Sequence, residues 1–232
     1  MMGQIQEEPK RLVCKGEICS KGGMVMKPLV VIVVFSLSLP SLAWTDVGTF
    51  EAEASSALSS PAALTNTAFV CSLSNACQVV DSPVLRLSAL MVRSVLEYQH
   101  FCDTGDRTWA ERCSSTLSNA VSNATALTNE CNYWTAQVLY SGSAASQGRY
   151  QFAYSLCTNL VSREAHGDVM TGTNRFTCAI MSYYKMPGLS IPDAARYIAG
   201  MAAAVQGFPA VATNFASQVA SPYREEILDF IQ

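Results

Sequence analysis

Apolar side chains recur at three- and four-residue spacings along most of the chain, the period of a helix that buries one face. The clearest instance follows Ser82-Pro83, where Ser suits an N-cap and Pro the first helical position. From there VLRLSALMVRSVLEYQHF places Leu87, Leu90, Met91, Ser94, Val95 and Tyr98 on one face, and the pattern ends at Asp103-Thr104-Gly105. Asp106 is positioned to cap the next helix, which runs through Arg107, Trp109, Cys113, Leu117 and Val121. Another helical piece is predicted over 124–139, with Leu127, Cys131, Trp134 and Val138, and the Gly/Ser/Ala run 141–147 reads as a loop.

Residues 45–60 are weakly amphipathic, a short helix or ordered arm broken by Pro61, and 62–80 reads as a helix followed by a turn. Beyond Gly148 come GRYQFAYSLCTNLV, RFTCAIMSYYKM and DAARYIAGMAAAVQGF, three helix-like pieces. The polar break SREAHGDVMTGTN and the Pro/Gly break PGLSIP separate them. Ser221-Pro222 repeats the cap-plus-proline signal ahead of Ile227, Leu228, Phe230 and Ile231. With no strand alternation, no Asn-Gly hairpin and no strict repeat, the predicted class is all-α.

The first 43 residues read differently. Met26-Lys27-Pro28, the run LVVIVVFSLSL and then Pro40-Ser41-Leu42-Ala43 have the layout of a cleaved secretory signal. The apolar run is shorter than the roughly 20 residues a membrane span needs. Residues 1–23 are polar, so translation is expected to start at Met24 or Met26, the alternative being a long leader that departs with the signal. The reading is therefore 1–23 as an over-extended N-terminus or leader, 24–43 as the signal peptide, and 44–232 as one helical domain.

That domain carries ten basic residues, nine Arg and Lys185, against fifteen acidic ones. A mildly acidic surface without a basic cluster offers nothing to nucleic acid or to an anionic membrane. Sparse charge among many Ala, Ser and Thr suits a protein packed into a dense material. Seven cysteines remain: Cys71, Cys77, Cys102, Cys113, Cys131, Cys157 and Cys178. In an oxidising compartment they are expected to pair, and an odd number leaves one for a partner or as a free thiol. The expected architecture is a single-domain, disulfide-stapled helical bundle.

Other chemistry is thin. Cys157, His166 and Asp168 can be written as a catalytic set, and His100 lies near Cys102, but thiol catalysis needs an oriented base beside a thiol of lowered pKa. No CxxC, HExxH or EF-hand spacing occurs, so no metal or cofactor is implied. The aromatic residues sit at helical spacings and are expected in the core. Asn123-Ala124-Thr125 is a glycosylation sequon. The protein is not expected to be an enzyme; a secreted helical carrier of an apolar ligand is the alternative to a structural subunit.

The order and character of the pieces after Gly148, with FCDTGDRTWAERCSSTL upstream, resemble the light chain of insect fibroin, the silk protein of moths and caddisflies. RFTCAIMSYYKM is similar to that family's segment in which an aromatic residue precedes a cysteine and an apolar-tyrosine run follows. DAARYIAGMAAAVQGF is similar to its Ala-rich helix built around Tyr-Ile. The likeness covers roughly 82–220. It implies a secreted structural subunit joined by one disulfide to the C-terminal region of the fibroin heavy chain, supporting its secretion, with further silk glycoproteins as possible companions.

The linking cysteine carries over to Cys178, with Phe176, Tyr183 and Tyr184 as a docking patch around it. The family's internal disulfide best matches Cys77 and Cys131, with Cys71 able to replace Cys77. Four further cysteines leave the connectivity open; Cys102 with Cys113 and Cys71 with Cys157 are the remaining candidate pairs.

Overall fold

Eleven helices and no strand occur among the residues that the computed structural model describes, 44, 46–128, 130–167 and 172–231. They are α1 (Val47–Leu58), α2 (Pro61–Leu64), α3 (Thr67–Ala76), α4 (Pro83–Thr104), α5 (Arg107–Asn123) and α6 (Cys131–Ser146). Then follow α7 (Tyr150–Ala165), α8 (Arg175–Tyr183), α9 (Ile191–Val205), α10 (Pro209–Ala216) and α11 (Tyr223–Asp229). The leader and signal segments, and Asp168, lie outside the described residues.

Local capping chemistry sets several of these boundaries. The Asp46 carboxylate accepts the Thr49 N–H at 2.8 Å, Ser82 Oγ accepts from Leu85 at 3.4 Å, and Asp106 accepts from Thr108 at 2.9 Å. Each such cap is worth on the order of 1 kcal/mol. Gly105 closes α4 at φ 68°, a left-handed conformation open to glycine at little steric cost. The turn that follows folds α5 back along α4.

α6 is the central helix, buried on all sides from Asn132 to Val138 and again at Ser141, Ser143, Ala144 and Ala145. It departs from the expected 124–139. Residues 124–128 form turns, held by the Trp134 indole donating to the Thr128 carbonyl at 2.8 Å. The run expected as a loop is the helix's second half. Its serines satisfy themselves inside the core, Ser141 Oγ donating to Val138 O at 2.7 Å and Ser146 Oγ to Ser143 O at 2.8 Å. Small side chains here admit close neighbours: a Cβ on Gly142 would sit 3.4 Å from Ile198 Cδ1.

α7 and α9 pack against α6, and the Arg196 guanidinium pairs with Glu164 near the C-terminal end of α7 and with Asp193 at 3.0 Å. The Ala-rich α9 buries Ala194, Ala195, Ala199, Ala202 and Ala203 with Ile191 and Ile198. It ends at Val205, and α10, not foreseen, starts afresh at Pro209. The last helix begins at Tyr223, with Pro222 rather than Ser221 at the N-cap and no side-chain cap bond. One continuous apolar core joins residues from α1 to α11, among them Phe50, Leu64, Met91, Leu117, Trp134, Leu160, Ile180 and Ile227.

Candidate functional site

Cys178 lies in α8, a nine-residue helix fixed at both ends. At its start Asn174 and Thr177 form a reciprocal capping box: Asn174 Oδ1 accepts the Thr177 N–H at 2.8 Å, and Thr177 Oγ1 accepts the Asn174 N–H at 3.0 Å. At its end Lys185 takes a left-handed conformation, φ 59°. The Met186 N–H then reaches Met181 O at 3.0 Å and the Lys185 N–H reaches Ser182 O at 3.1 Å, the paired bonds of a Schellman stop. So short a helix is marginal alone, and these ends together with its buried face hold it.

That face carries Phe176, Thr177, Ile180 and Met181, followed by Tyr184, all buried among α1, α4 and α6. Phe176 meets Phe50 edge-to-face at 6.4 Å between ring centroids, and Tyr184 stacks on Tyr98 at 4.6 Å. The expected docking patch is therefore corrected: Phe176 at 2% exposure and Tyr184 at 9% are core residues, since the helix period turns them away from the cysteine. Tyr183 stays half-buried, with burial raising its phenol pKa. The outward face is Arg175, Cys178 and Ser182, all exposed.

None of the described cysteines is in a disulfide, so the expected staples are absent from this structure. Most sulfurs have neighbours of another kind. Cys113 Sγ lies 3.2 Å from the Tyr184 hydroxyl and accepts a longer contact from Ser143 Oγ at 3.8 Å. Cys157 donates to Ser141 Oγ at 3.0 Å from a fully buried position on α7, whereas its candidate partner Cys71 is exposed on α3. Cys131 is half-buried, accepting from Asn174 Nδ2 at 3.4 Å and facing Asn132 Oδ1 at 3.5 Å. Its other candidate partner, Cys77, is buried at the end of α3, and Cys102 is exposed near the end of α4.

Burial pushes the thiol pKa values up, to about 11 for Cys77 and Cys113 and about 12 for Cys157. A raised pKa and no access make poor nucleophiles. Exposure thus selects Cys71, Cys102 and Cys178 for any bond to another molecule.

Cys157 and His166 do not come together as a catalytic pair. His166 caps the C-terminus of α7, exposed, with Nδ1 2.7 Å from Ser162 O. It lies nine residue steps beyond Cys157 along α7, about 13.5 Å of helical rise. His100 instead stacks on Trp109 at 4.7 Å, with the Arg112 guanidinium also 4.7 Å from that ring.

Other features were not legible in the sequence. Glu51 of α1 accepts from Ser88 at 2.7 Å and from Asn132 at 2.6 Å, a polar junction of α1, α4 and α6 at the N-terminal end of α8. Two surface depressions are open rather than enclosed. One, about 300 Å³, includes Glu53, Asn66 and Phe69; the other, about 590 Å³, runs along α5 past Ser114, Ser118 and Ser122 to Tyr140 and Arg149. Neither is the closed apolar chamber that a carrier of an apolar ligand needs. Asn123 is the last residue of α5, exposed, with Thr125 exposed in the turn beyond.

Among the described residues no helix is long and apolar enough to cross a membrane, and no three His, Cys, Asp or Glu side chains gather as a metal site. Comparison of the sequence and fold with protein-family models, curated proteins and solved structures found no match.

Proposed function

We propose that this protein is a secreted structural subunit of the fibroin light-chain type, joined through Cys178 to a large silk heavy chain whose secretion and assembly it supports. The observation that carries the reading is the presentation of Cys178, exposed on the outer face of a helix capped at both ends and backed by the core. A thiol on a fixed helix meets a partner thiol in a defined geometry once the two surfaces dock. Docking raises the effective concentration of one sulfur near the other. Oxidation then removes two protons and two electrons from the pair, taken up by the thiol-oxidising machinery of the secretory pathway, and leaves one S–S bond.

Arg175 and Ser182 share the outward face with Cys178 and form the docking face in this reading, replacing the patch that included Phe176 and Tyr184. The exposed Cys71 and Cys102 compete with Cys178 for the role; the likeness of RFTCAIMSYYKM to the family's linking segment favours Cys178.

The test is Cys178→Ser, expressed in secretory cells together with the C-terminal region of the heavy chain and run on reducing and non-reducing gels. Loss of the reducible heterodimer with an unchanged helical spectrum is expected. A heterodimer that persists in the variant contradicts the assignment.

A further inference from the structure

We propose that the groove along α5 is the seat of an N-linked glycan carried by Asn123, an inference that rests on the secreted reading above. The Asn123 side chain is turned back along its own helix. Its Nδ2, the atom that takes the sugar, donates to the Asn119 main-chain carbonyl at 2.8 Å and to the Asn119 side-chain oxygen. Asn119 and Ser122 both line the groove, so a sugar on Nδ2 starts at its end rather than out in solvent. The sequon is also presented well: α5 stops at Asn123, Ala124 is its C-cap, and Thr125 is exposed in the following turn. It is the one Asn-X-Ser/Thr sequence in the protein.

The lining matches a carbohydrate. Ser114, Ser115, Ser118 and Ser122 offer hydroxyls that donate and accept, Gln147 adds an amide, and Arg149 adds a cationic fork. Arg149 Nη2 donates to Ser114 Oγ at 2.7 Å, and its guanidinium lies 5.2 Å from the Phe152 ring, so it is held in place. Tyr140 supplies an aromatic wall, packed edge-to-face on the exposed Phe152 at 5.3 Å. Sugars present C–H faces to such rings and hydroxyls to the serines. The volume, about 590 Å³, falls in the range of small-molecule sites.

In the modification the Asn123 amide nitrogen displaces the pyrophosphate of a lipid-linked oligosaccharide. The C1–O bond breaks as the N–C1 bond forms, and the amide gives up one proton. The hydrogen replaced is one of the two now given to Asn119, whose side-chain oxygen is released to the first sugar.

The experiment expresses the full-length protein in cells with N-glycosylation and measures its intact mass, with Asn123→Gln as control. Release of the glycan by an N-glycosidase is then timed on folded and on denatured protein. A glycan on Asn123 is expected, released at least tenfold more slowly from the folded protein, with Ser118→Arg in the groove restoring faster release. Secretion of an unmodified protein overturns this inference alone, and a protein that stays unmodified inside the cell overturns the secreted reading with it. Equal release from folded and denatured protein overturns the groove as the glycan's seat.

Discussion

The sulfur of Cys113 on α5 and the phenolic oxygen of Tyr184 at the end of α8 lie 3.2 Å apart, and the same phenol donates to Ser94 Oγ on α4 at 2.9 Å. One buried hydroxyl thus ties the helix that presents Cys178 to the α4–α5 pair. Burial, then the neighbouring Cys113, hold the Tyr184 pKa well above the ordinary phenol value, so it stays a neutral donor. Tyr184→Phe keeps the stack on Tyr98 but loses these bonds, and a loss of about 1 kcal/mol is expected in urea unfolding. Unchanged stability contradicts the tie.

Thiol access should sort the cysteines. Brief alkylation of the reduced, folded protein is expected to label the exposed Cys71, Cys102 and Cys178 first, while Cys77, Cys113 and Cys157 stay protected until unfolding. Peptide mass spectrometry reads the order. Labelling of Cys157 as fast as Cys178 contradicts the burial described.

Alkaline pH should destabilise the fold in part through Cys157. Its folded pKa, about 12, exceeds the ordinary value of 9.0. Below pH 9 both states keep the proton; above it the unfolded state releases the proton first, so stability falls between about pH 9 and 12. Cys157→Ala is expected to fall less steeply over that window, measured as unfolding free energy against pH. An identical slope excludes the contribution.

Close packing of α9 on α10 and α11 depends on Gly200. An added Cβ would lie 2.7 Å from Ile227 Cδ1 and 3.2 Å from Phe215 Cβ. Gly200→Ala is expected to cost about 1–3 kcal/mol by overpacking. Ile227→Val removes the nearest atom, so the double variant should lose less than the two single variants added together. Strict additivity in thermal or urea unfolding argues against this contact.

Features resting on neighbours in sequence were legible. Ser82, Pro83, Gly105 and Asp106 bound α4 and α5 as expected, and Leu87, Leu90, Met91, Ser94 and Val95 are buried together. What failed depended on the third dimension. The run 141–146 has loop composition, yet it is helical because small residues suit a crowded centre and serine hydroxyls find main-chain carbonyls. Pro209 begins a helix of its own, and Ser221 yields the N-cap of the last helix to Pro222.

At the candidate site, the order and periodicity of RFTCAIMSYYKM point to a helix with Cys178 in it. Three- and four-residue spacing also sends Phe176, Ile180 and Tyr184 inward, which a docking patch drawn from sequence proximity overlooks. Pairings among distant thiols have no local signal, because whether two sulfurs meet is decided by packing alone.

The most direct measurement is the mass-spectrometric identification of whatever is bonded to Cys178 in secreted material prepared without reductant. A peptide from the C-terminal region of a large repetitive silk protein is the predicted result. A Cys178 that is a free thiol, or is joined to another cysteine of the same molecule, contradicts the account.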